Sequence, residues 1–124
     1  MSLATVLLIQ AVLFLAYGIG FVLSPPAVLS LYGKKLEPLG VVMCRYLGGS
    51  LIGIGLTCLL IRGAPAGPVL NAVVLAFFIA DAVSFAVSLT AQFGALNSPL
   101  HWANVTLWLL LTLGLGYFRF LGPT

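Results

Sequence analysis

The chain has 124 residues, of which 62% are hydrophobic and 6% charged, with a formal net charge of +3 at pH 7. A water-facing domain of this length carries about 25% charged residues, so the composition excludes an ordinary soluble surface and points to lipid as the solvent on most sides. The five basic residues are spread along the whole sequence; they form no patch of the kind that holds nucleic acid, and the short connections leave no lobe to hold a nucleotide.

The first apolar run, Leu3–Leu23, is near the ~20 residues that a helix needs to cross the hydrocarbon core. No basic residue precedes it, since the first charged side chain is Lys34, and it ends at Ser24-Pro25-Pro26 rather than at a small-x-small site. It is therefore expected to be a retained span rather than a cleaved leader. Ala27–Tyr32 is too short to span and predicts a turn of helix in the interface, with Lys34 and Lys35 at headgroup level. The second span, Leu39–Ile61, starts after Glu37-Pro38 and stops at Arg62-Gly63-Ala64-Pro65. Pro68 opens the third, which runs to Ala91, and Asn97-Ser98-Pro99 is expected to cap the fourth, Leu100–Phe120. Proline at helix starts and glycine past helix ends follow the usual asymmetry.

Transmembrane strands would need alternating segments of about ten residues, and these runs are continuously apolar. Three short connections predict a single all-α domain, a membrane four-helix bundle running up-down-up-down. Lys34 and Lys35 flank one side; Arg62 and Arg119 flank the other. If Arg45 snorkels toward the lysines, the balance of positive charge predicts both termini outside the cytoplasm. Cys44 and Cys58 share the second span, about 21 Å apart along a helix and beyond disulfide reach. They are expected to be small apolar side chains.

Arg45 in the second span and Asp81 in the third are the charges placed inside spans, where an ionisable group is costly and needs a partner. Counted from the connecting loop, their depths differ by about 4.5 Å of helical rise, which an arginine side chain can bridge. The pair is expected to be a buried ion pair that sets helix register, with Ser84, one turn from Asp81, as a further hydrogen-bonding group. Tyr17 lies at a similar depth to Arg45. A proton- or cation-coupled transport site on Asp81, or a polar contact to a lipid, quinone or partner subunit, is the alternative.

Ala72, Ala76, Ala80, Ser84 and Ser88 recur every four residues along the third span. Such a stripe lets a second helix approach closely. The second span offers Gly48-Gly49-Ser50, Gly53 and Gly55, including Gly49-xxx-Gly53, and the first offers Ala16-xxx-Gly20. These faces serve packing within the bundle or docking onto another protein. His101, beside the interfacial anchor Trp102 and one turn before Asn104, is expected to be solvated or bonded to backbone. A haem or pigment ligand is the alternative role for that imidazole. The single His and the lack of a Cys pair predict no metal centre. Phe77, Phe78 and Phe85 flank Asp81 and could face core, lipid or a lipophilic pocket.

From Pro25 to Leu60 the chain follows a cadence: Pro-x-x-x-Leu-x-Leu-Tyr-Gly, then Leu-x-Pro-x-Gly, then Arg45-x-x-Gly48-Gly49 and Gly53-x-Gly55-Leu56. This resembles the DoxX-like group of small bacterial four-span membrane proteins. The resemblance implies a four-helix bundle in a bacterial inner (cytoplasmic) membrane; some members of the group accompany membrane redox complexes as small subunits, and most have no assigned activity. It carries over Arg45, through Arg-x-x-Gly, as a polar site, and brings no catalytic residue. Small multidrug exporters have a glutamate in the first span, where this chain has nothing more polar than Gln10. Fluoride channels have a Phe-rich Thr/Ser motif that Phe77-Phe78-Ile79-Ala80-Asp81 does not match. The expectation is a non-catalytic accessory subunit of a larger membrane complex, redox or photosynthetic. It would contact membrane lipids and other membrane subunits, and would require no cofactor beyond a lipid, quinone or pigment contact. A small transporter or lipophilic-ligand binder using Arg45 and Asp81 is the alternative.

Overall fold

The computed structural model describes residues 2–121. Five α-helices follow one another: α1 (Leu3–Leu23), α2 (Pro25–Ser30), α3 (Pro38–Ile61), α4 (Pro68–Gln92) and α5 (His101–Gly116), the last continuing as a π-helical turn over Tyr117–Leu121. No strand occurs among the described residues. Helices α1, α3, α4 and α5 with its π turn have 21, 24, 25 and 21 residues and are apolar enough to cross a membrane. At about 1.5 Å per residue each exceeds the ~30 Å hydrocarbon core. The chain is an all-helical integral membrane protein with four spans.

Helix boundaries follow the proline positions. Pro38 opens α3, and prolines occupy the first turns of α2 and α4, where the missing N–H would have had no partner. The interfacial helix begins two residues earlier than expected, at Pro25, and closes on Gly33. Gly33 has φ of +71°; its N–H donates to the Ser30 carbonyl, and the Lys34 N–H reaches back to Leu29. Those two bonds form a Schellman cap, and its left-handed residue is the one place here where glycine's conformational freedom is required. The fourth long helix starts differently from the expected Asn97 cap. Leu100 stands at the N-cap without a side-chain bond, and the Ser98 carbonyl accepts the His101 N–H.

Contacts divide the chain into two compact units, Leu7–Leu60 and Met1–Val6 with Ile61–Thr124. In the first unit α1 and α3 meet along glycine. A Cβ on Gly18 would stand 2.8 Å from the Gly48 carbonyl oxygen, and one on Gly48 would stand 2.7 Å from the Gly18 oxygen. Two turns further, a Cβ on Gly55 would lie 2.9 Å from Leu15 and 3.1 Å from the Ala11 oxygen. The backbones are in direct contact, the close approach that small residues permit between membrane helices. In the second unit α4 and α5 form an antiparallel hairpin. Phe78 packs against Gly116 and edge-on to Phe120, with ring centroids 5.4 Å apart.

Candidate functional site: a polar ladder and a buried carboxyl in the α4–α5 hairpin

The buried positions of α4 are Leu70, Val74, Asp81, Ser88 and Gln92. Their spacings of four and seven define one inward stripe. The half toward Pro68 is aliphatic; the half toward the α4–α5 loop is polar. On α5 the buried set starts at His101 and continues as Val105, Leu111 and Leu115.

At the loop end these stripes join through side-chain hydrogen bonds. Gln92 Nε2 donates to the Ser98 carbonyl at 3.0 Å, so its Oε1 is the atom facing His101 Nδ1 at 2.8 Å. A carbonyl oxygen only accepts, hence Nδ1 carries the proton. His101 Nε2 is then the acceptor for Asn104 Nδ2 at 3.2 Å, and the same amide donates to Ser88 Oγ at 3.3 Å. His101 is 1% exposed, and both ring nitrogens are engaged. The expected solvated histidine is therefore corrected: the ring is buried, with the Gln92 and Asn104 side chains on its two nitrogens. With Asn104 on Nε2, the ring holds no nitrogen ready for a haem or pigment metal. Asn104 also separates Ser88 from the imidazole, so the hydroxyl has no base to activate it as a nucleophile.

Seven residues deeper on the same stripe lies Asp81, also 1% exposed, whose Oδ2 has no hydrogen-bond partner among the described residues. Ser84 is half-buried between Asp81 and Ser88. Arg45, in the other unit, is exposed. Tyr17 is engaged elsewhere: its hydroxyl lies 3.3 Å from that of Tyr32, and its ring stacks on Phe21. Burial raises the Tyr32 phenol above its ordinary pKa, and the hydrogen bond and electrostatic interaction with Tyr17 add to the effect.

The small-residue faces divide into used and unused. Gly18, Gly48 and Gly55 form the α1–α3 seam, and Gly20 accommodates Val28 of α2, which a Cβ would meet at 3.1 Å. Gly49 and Gly53 are exposed, with nothing within 4 Å of an added Cβ. Ala72, Ala76 and Ala80 are exposed as well, whereas Ser88 is buried and bonded to Asn104. Phe78 is held by Gly116 and Phe120 rather than lining a pocket. An open recess of about 440 Å³ on α4 is lined by Ala86, Val87, Thr90 and Ala91. Its one hydroxyl is already bonded to the Ala86 carbonyl, so no polar groups converge there to orient a ligand. Cys44 and Cys58 are not joined in a disulfide, and Cys58 is buried.

Sequence reasoning missed Gln92 and Gly18. The signal for Gln92 was available: a glutamine at the end of one span faces a histidine at the start of the next across a short loop.

Comparison with protein-family models, with curated proteins and with solved structures finds no match to this chain.

Proposed function

We propose that the chain is a non-catalytic accessory subunit that docks laterally on other helices of a larger membrane complex. The observation that carries this reading is the open Gly49-xxx-Gly53 face of α3, exposed and without a neighbour within reach of an added Cβ. Its neighbours in sequence, Gly48 and Gly55, account for the packing inside the chain. A glycine pair facing outward from a membrane helix suits another helix backbone better than lipid. The exposed Ala72, Ala76 and Ala80 of α4 offer a second face of the same type. The described residues assemble no nucleophile with a base and no group of three metal-binding side chains, and the Gly/Pro/Arg cadence of residues 25–60 agrees with a DoxX-like subunit in a bacterial inner membrane.

The test is purification of the tagged full chain from its native membrane in a gentle detergent, followed by mass spectrometry and an absorption spectrum. Partner subunits in fixed stoichiometry, lost in Gly49→Ile and Gly53→Ile variants that still fold, are the expected result. A lone monomer from the native membrane would overturn the proposal.

A further inference from the structure

We propose that Asp81 is a reversible proton-binding site inside the membrane, whose proton exchanges along the polar, loop-facing half of the hairpin and not through the aliphatic half toward Pro68. This inference concerns the interior of one hairpin and does not depend on lateral docking.

Three observations carry it. Asp81 is buried at 1% exposure and Oδ2 has no hydrogen-bond partner among the described residues. A carboxylate in that position would hold a full charge in a low-dielectric surrounding with no donor to stabilise it, and binding a proton removes the charge. A metal cation is a poor substitute, since hard cations require several oxygen ligands and the described residues hold no group of three His, Cys, Asp or Glu side chains that could bind one. Polarity along the inward stripe is also asymmetric. Toward the loop the stripe is polar, with Ser84, Ser88, Asn104, His101 and Gln92, the last four joined in a hydrogen-bonded ladder; toward Pro68 it continues as Val74 and Leu70.

Within its own unit α4 packs against α5 and its π turn, which together carry His101, Tyr117 and Arg119. His101 is level with Gln92, about 16 Å along the axis from Asp81. Arg119 and Tyr117 lie beyond the level of Gly116, which faces Phe78. The Arg119 guanidinium sits over the Phe120 ring, 5.3 Å from its centroid, and its Nε has no hydrogen-bond partner. From the Phe78–Gly116 and Ser88–Asn104 contacts, the α5 residues level with Asp81 are Leu111 and Thr112. Thr112 donates its hydroxyl to the Trp108 carbonyl. No cation stands opposite the carboxyl on α5.

The full chain in liposomes would be treated with the apolar reagent dicyclohexylcarbodiimide. The reagent takes the carboxyl proton onto one nitrogen while the carboxyl oxygen adds to its central carbon, and the adduct rearranges to a stable N-acylurea. One adduct mapped to Asp81, strong in acidic buffer, falling in alkaline buffer, unaffected by sodium ions and lost in Asp81→Asn, is expected. Glu37, exposed between α2 and α3, serves as the control carboxyl for a water-soluble carbodiimide. No adduct at Asp81 in acid, an adduct undiminished by alkali, or protection by sodium would overturn the site.

The route is read from hydrogen–deuterium exchange of the Asp81 carboxyl, as the infrared difference between the wild type and Asp81→Asn. Exchange is expected to slow in Ser88→Val, and in the milder Ser88→Ala, and to stay unchanged in Leu70→Ile. Equal rates in folded variants would overturn entry from the loop end.

Discussion

At Gln92 and His101 two polar side chains lie almost wholly out of water, and each is the other's partner. Replacing one alone leaves a buried donor or acceptor without its bond, which costs about 1–3 kcal/mol. Replacing both by leucine removes both ends of this one bond, while the Ser98 carbonyl and the Asn104 amide lose their partners in the single and the double variants alike. A double-mutant cycle on Gln92→Leu and His101→Leu, read by unfolding in mixed micelles, should give a coupling of about 0.6–1.7 kcal/mol, the range found for hydrogen bonds between membrane helices. Additivity of the two single changes would show the bond to be idle. Tyr32, outside the spans, supplies the pH-dependent case. Its phenol is held above the ordinary value by burial first and by Tyr17 second, so the folded chain keeps the proton after the unfolded chain has released it. The associated stability is fully present below about pH 10, the ordinary phenol value, and is lost as pH rises beyond it. In a phenolate absorbance titration, Tyr32→Phe should remove the most alkaline component, and removal of an ordinary one would contradict this assignment.

For whole helices, the contrast between Gly48 and Gly49 is decisive. Neighbours in a helix differ in direction by about 100°, so these two glycines serve different faces. Gly48→Ala places a methyl group 2.7 Å from the Gly18 oxygen, and overpacking of this kind costs about 1–3 kcal/mol. Gly49→Ala meets open space and should change the stability of the isolated chain by no more than about 0.5 kcal/mol. Denaturation of both variants in detergent distinguishes them; equal losses would refute the assigned seam. This rotation could not be read from the sequence, because membrane helices are apolar all round and have no polar face to mark the outside. The small residues showed that close packing occurs, and only the fold shows which of them it uses. The same reason hid the pairing of Tyr17 with Tyr32. Depth along a helix can be counted from its loop, whereas azimuth cannot, so counting put Arg45 and Asp81 within about 4.5 Å in depth without showing that one is exposed and the other buried.

On the scale of the molecule, the four spans were legible, with boundaries within a residue or two, because bilayer thickness sets their length and proline and glycine punctuate their ends. Exposed apolar side chains such as Val12, Met43, Ile79 and Leu110 occur on every span, as expected where lipid replaces water. The Gln92–His101–Asn104–Ser88 ladder also bears on how such a chain enters the bilayer. Released into lipid alone, α4 would present Asp81, Ser88 and Gln92, and α5 would present His101 and Asn104, each polar group seeking a partner in hydrocarbon. Delivered together as a hairpin, the two helices satisfy most of those groups mutually across a loop of eight residues, 93–100. The third and fourth spans thus form a natural unit of insertion, the earlier helix waiting at the translocation machinery until the later one has been made.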